Sequence, residues 1–173
     1  MRLLIIKPNI FAHINIYHML QRIQSIYLLL ATFCLAALFI TPLLRNIQVE
    51  GLTETVKVTG VYQEANGQIV SSQPFTALTI VTGLVALLPL AIIFLYKNRT
   101  LQTTLCYSVI LVLIGYSFWA SQTAKNAIGD AYIQFNNYGI GIGLISLSIL
   151  LVVLAQKAIK RDDKLVKSAD RLR

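Results

Sequence analysis

The sequence predicts an all-α membrane protein. The expected architecture is a four-transmembrane-helix bundle with a small extracytoplasmic β-hairpin between helices 1 and 2 and a cytoplasmic helical extension of helix 4. Three observations carry that prediction. First, 56% of the 173 residues are hydrophobic and only 13% are charged, whereas soluble domains carry about 25% charged residues. Second, four stretches hold no charged side chain: 26–44, 75–96, 101–120 and 138–155, of 19, 22, 20 and 18 residues. About 20 apolar residues cross the hydrocarbon core as a helix. Third, the basic residues cluster on one side of the four-span topology. The remaining 94 residues fall into five separate segments, and none can bury a core of its own, which excludes a large soluble domain.

The first span, 26–44, holds seven Leu, two Ile and two Phe. At roughly −0.3 to −0.6 kcal/mol each they favour insertion by about 5 kcal/mol. The stretch is too long for a signal-peptide core of about 7–15 residues, and Leu43-Leu44-Arg45-Asn46 carries no small-residue cleavage site. It reads as a retained helix.

The outer loop 45–74 is the one polar segment with a strand pattern. Thr55-Val56-Lys57-Val58-Thr59 alternates and continues into Val61-Tyr62. Asn66-Gly67 suits a tight turn and Ile69-Val70 a return strand. Gly60 falls inside the first strand, where it would mark a bulge. A lone hairpin is marginal in water, so it is expected to rest on the helix ends. The second outer loop, 121–137, is shorter. Phe118, Trp119, Tyr132, Phe135 and Tyr138 lie at its borders, as in an interfacial aromatic belt.

Orientation follows from charge. Residues 1–25, the link 97–100 and the tail 156–173 carry three, two and seven basic residues, twelve of the fifteen. The positive-inside bias places both termini in the cytoplasm. The net charge of +8 is therefore mostly a juxtamembrane tail that attracts anionic lipid head groups, and no nucleic-acid partner is expected. The tail, from Lys157 to Arg173, lacks Gly and Pro and should continue the last helix. Ala158, Leu165, Ala169 and Leu172 form one stripe that only Asp162 interrupts.

The search for chemistry returns little. None of the four spans holds a charged residue, and intramembrane charge is the usual mark of transport or proton relay. Cys34 and Cys106 lie inside spans, and His13 and His18 lie apart from them, which is not the clustered ligand spacing of a metal site. No nucleophile, P-loop or dinucleotide motif is present. No cofactor, metal or catalytic residue is predicted, and no enzymatic activity. Glu50, Glu54 and Glu64 read as solvated loop acids. Gly139 and Gly143 form a small-xxx-small pair suited to close helix packing.

Two stretches carry a resemblance. Met19-Leu20-Gln21-Arg22-Ile23-Gln24-Ser25-Ile26-Tyr27-Leu28-Leu29-Leu30-Ala31 resembles the opening of a family of small four-helix bacterial membrane proteins known as a domain of unknown function. The end, Lys160 to Arg173, is similar to that family's C-terminal signature. The resemblance implies no activity or substrate. It does imply Met19 as the usual start, making 1–18 an upstream extension outside the fold and 19–173 a single domain. The same two ends suggest a surface contact between Arg22 and Asp162 or Asp163, with Lys160, Arg161 and Arg171 as further surface candidates. The expected role is a non-enzymatic scaffold or accessory subunit that contacts a membrane-protein partner, or its own copies, through tail and outer loop. The alternative is a small oligomeric channel or transporter subunit lined by Ser and Thr.

Overall fold

The computed structural model describes residues 10–49, 52–65, 68–95, 98–129, 131 and 133–170, with the side chains of 10–22, 64, 65, 68, 69, 166, 167, 169 and 170 outside the description. Four α-helices carry the chain: α1 (Ile10–Ala37), α2 (Thr76–Phe94), α3 (Arg99–Ile128) and α4 (Ile140–Asp170). Strands β1 (Leu44–Val49), β2 (Leu52–Lys57), β3 (Gly60–Ala65) and β4 (Gln68–Pro74) lie between α1 and α2. A short 3-10 turn, Phe135–Asn137, precedes α4. The helices α2, α3 and α4 are each long and apolar enough to cross a membrane; the apolar part of α1 among the described side chains is Ile23–Ala37.

Each helix packs against two others, α1 on α2 and α4, and α3 on α2 and α4. Leu28, Ala31 and Leu35 of α1 and Leu38 just past its end repeat every three or four residues and are fully buried, which is the spacing of one helical face. They meet Val152, Ala155 and Ile159 of α4, Leu113 of α3 and Leu78 of α2 in a single core. The opposite faces are as apolar as the core. Phe33, Ile80, Leu84, Leu111, Phe118 and Leu150 are all more than half exposed. Contiguous apolar surface of this kind marks an interaction with lipid or protein, and spread over all four helices it marks a membrane protein.

The first span ends earlier than its composition suggests. α1 stops at Ala37, and residues 38–40 tighten into i→i+3 bonds of 3.1–3.2 Å. The hydroxyl of Thr41 donates to the Ala37 carbonyl at 2.9 Å. Pro42 has no N–H to extend the ladder and disfavours helix before it. Leu43 and Leu44 therefore leave the helix and enter the sheet. At the other end, α1 runs from Ile10 through Met19 without a break.

The predicted hairpin is instead a four-stranded antiparallel sheet in the order β1-β2-β3-β4. Gly60 is no bulge within a long strand. It opens β3 opposite Lys57, after the two-residue turn Val58-Thr59. Its φ of +152° and a Cβ that would stand 2.4 Å from the Gln73 carbonyl oxygen require glycine there. Ala65 pairs with Gln68, so the predicted turn position is kept, although Asn66 and Gly67 lie outside the described residues. Alternation along β2 turns Glu54, Val56 and Val58 inward, and Ile47 and Val61 join them in the core.

The sheet is hydrogen-bonded onto the helix ends. Leu43 N–H donates to the Val56 carbonyl at 2.8 Å, and Phe75 N–H donates to that of Thr59 at 3.0 Å. The Thr79 hydroxyl donates to the Val58 carbonyl at 3.1 Å. Gly139 and Gly141 N–H donate to the carbonyls of Leu43 and Pro42 at 2.8 and 3.0 Å. Leu44 forms an isolated bridge with Tyr138, and the Asn137 amide donates to the carbonyls of Arg45 and Asn46 at 3.0 and 2.8 Å. The β1 edge is thus closed by the segment leading into α4.

These contacts revise the glycine expectation. The packing pair is Gly139 and Gly141, whose added Cβ atoms would stand 2.2 and 2.8 Å from the Pro42 carbonyl oxygen. They admit the α1–β1 connection and not another helix. Gly143 faces open space.

Candidate functional site

The polar residues that the apolar core tolerates gather at the end opposite the sheet. There α2 passes into α3 and α4 runs on toward Asp170. Asp162 lies on the buried line Val152–Ala155–Ile159 of α4, with only 1% of its surface exposed. Arg99, in the first turn of α3, donates through Nη1 to its Oδ2 at 2.6 Å, and Gln24 of α1 reaches the same oxygen at 3.5 Å. A single carboxylate oxygen therefore joins three helices. Its other oxygen, Oδ1, is buried with no hydrogen-bond partner.

Local sequence explains how the groups arrive there. Asn98 caps α3, its side chain accepting from Leu101 N–H at 3.3 Å. That sets the helix start so that Arg99 projects toward α4. Gln102, one turn on, is buried and donates to the Ile92 carbonyl at 3.3 Å, which also accepts from Leu95 N–H at the end of α2. Lys160 of α4 stands over the Tyr107 ring of α3, 4.9 Å from its centroid, and donates to its hydroxyl. The electrostatics are those of one short charge-assisted contact at low dielectric. The arrangement locks helix register.

Among the predicted site residues, Asp162 and Lys160 are brought into this cluster. Asp163 is half-buried beside it, and Arg161 is exposed. The side chain of Arg22 and the whole of Arg171 lie outside the described residues, so the expected Arg22 contact falls there too; among the described residues the cation that meets Asp162 is Arg99. The expected stripe of the tail also changes. Leu165 is exposed and Ala158 is half-buried, while Asp162 sits on the buried line. The sequence by itself does not single out Arg99 or Gln24. The available signal was the three- to four-residue spacing Val152–Ala155–Ile159–Asp162, which places the acid on the core face. Glu54, expected to be solvated, is buried and accepts from the Gln63 amide at 2.6 Å.

Long apolar helices with outward-facing hydrophobic surface define an integral membrane protein. Within that class, residues 20–172 match the DUF4293 family, described as a domain of unknown function. The chain belongs to that family. No curated protein and no solved structure matches it.

Proposed function

We propose that this chain is a multi-pass four-helix bundle of the bacterial inner membrane. In this reading both termini are cytoplasmic, and it is a non-enzymatic scaffold or accessory subunit whose sheet and tail meet a partner membrane protein. The charge asymmetry of the connecting segments supports the orientation. The observation that carries the role is the open edge of the sheet. β1 is covered by the segment before α4, whereas residues 70–74 of β4 are all exposed. An uncovered edge strand offers unpaired backbone groups to a strand of another chain. At the opposite end, Arg161, Lys164 and Leu165 of α4 are exposed as well.

The channel reading has less support. Leu28, Leu35, Leu113 and Val152 fill the space between the helices. Hydroxyls of Thr32, Thr103, Ser108 and Ser148 donate to their own helix one turn back, as side chains satisfied within one helix do. A conducting path would have to form between copies.

Site-specific photocrosslinking at Ser72 and Leu165 in intact cells tests the proposal. A different-chain adduct at stoichiometric yield is expected. Self-adducts alone, together with ion flux in liposomes of the purified protein, would overturn it.

A further inference from the structure

At the sheet end, a cavity of about 550 Å³ lies between α3 and α4. That lies within the ~300–1,000 Å³ of small-molecule sites. Its inner wall is apolar, made by Ala120 and Ala124 of α3, Ile142 and Ile145 of α4, and Leu43 and Leu44 above them. Its mouth is polar: Ser121, Ser146 and Tyr138 are exposed there beside Lys125. Small residues on α3 leave the room, since Ser117, Ala120, Ser121 and Ala124 recur every three or four positions on one face.

Charge and depth identify the occupant. Among the described residues, Lys125 is the single charged one in the lining, and no carboxylate lines the cavity. The apolar stretch of α3 ends at Ala120, with Ser121, Gln122 and Thr123 next, and a helix rises about 1.5 Å per residue, which puts Lys125 about 7.5 Å further out. A cation at head-group height above an apolar slot that reaches the end of the hydrocarbon zone is complementary to an anionic amphiphile.

We propose that this cavity binds one anionic glycerophospholipid, with the upper part of an acyl chain between α3 and α4 and the phosphate at Lys125. The inference rests on the membrane-spanning reading of α3 and α4, which alkaline carbonate extraction tests separately. Extraction of the wild-type chain into the supernatant would overturn both; retention leaves the lipid site to stand on its own test.

That test is native mass spectrometry of the full chain in mild detergent, titrated with phosphatidylglycerol, with phosphatidylcholine of the same chains, or with glycerol phosphate. One phosphatidylglycerol is expected to bind with at least fivefold preference over phosphatidylcholine, and glycerol phosphate is expected to bind far more weakly. Lys125→Gln should lower affinity for the anionic lipid about fivefold, the effect of one basic residue at a membrane surface, and Lys125→Arg should restore it. Ser146→Phe, which fills the slot from the exposed side, should abolish binding of both lipids. Ser121→Phe does the same from the facing wall if the first variant is not monodisperse. Wild-type binding by Lys125→Gln and by a filled variant overturns the proposal, as does glycerol phosphate binding as tightly as lipid.

Discussion

Replacing Arg99 with alanine removes the cation from a carboxylate that has nowhere else to turn. Asp162 keeps a 2% exposed side chain, the 2.6 Å contact is lost, and Oδ1 already lacks a partner. Breaking a buried pair by removing one member typically costs about 3–5 kcal/mol, because an uncompensated charge is left behind. Arg99 is itself 31% exposed, so water can replace part of what it supplies, and the lower figure of about 3 kcal/mol applies. For a chain of this length that lowers the thermal midpoint by roughly 6–12 °C. Asp162→Asn keeps an acceptor for Arg99 and should cost about half as much, since a neutral hydrogen bond replaces a charged one. The double variant Arg99→Met with Asp162→Leu removes both charges and should recover most of the loss. The assay is thermal unfolding of purified protein in a single detergent, followed by intrinsic fluorescence. A midpoint for Arg99→Ala within a degree of wild type, or a double variant no better than Arg99→Ala, would refute the assignment of Asp162 as the junction of three helices.

Four further outcomes follow from the packing. Gly139→Ala drives a Cβ against the Pro42 carbonyl at 2.2 Å and should cost about 1–3 kcal/mol as overpacking, read as a lower melting midpoint. Gly143→Ala, in open helix surface, should be neutral or stabilising by up to ~1 kcal/mol in the same assay. Thr82 and Tyr116 join α2 to α3 through a buried 2.7 Å hydrogen bond; a double-mutant cycle with Thr82→Val and Tyr116→Phe should return a coupling of about 0.6 kcal/mol, and a value of zero would dissociate the pair. Val56→Ala, at a fully buried position of β2, should loosen the sheet and speed proteolytic cleavage in β3 and β4 while leaving the helices intact.

The helices were legible because their signal is an average over twenty residues, and no single side chain can hide it. The charge-free stretches 75–96, 101–120 and 138–155 each fall largely on an observed helix. The sheet was read only in part. Leu43 and Leu44 are apolar enough to pass for the end of a span, yet they belong to the sheet because Pro42 stops the helix before them. The Val58-Thr59 turn carries no glycine in its loop, so the run from Thr55 to Tyr62 reads as one strand. Asp162 reads from the sequence as an interruption of the tail's apolar stripe and a surface contact, and only its partner Arg99, 63 positions away, makes its buried place tolerable.

What the sequence determined alone is the set of helices and which connecting segments carry positive charge, because both are matters of composition. Tertiary structure decided the rest: which carbonyls Gly139 and Gly141 must approach, how four strands close one edge and leave the other open, and which cation Asp162 meets. Those are pairwise distances between segments far apart in the chain, and no average over neighbouring residues contains them.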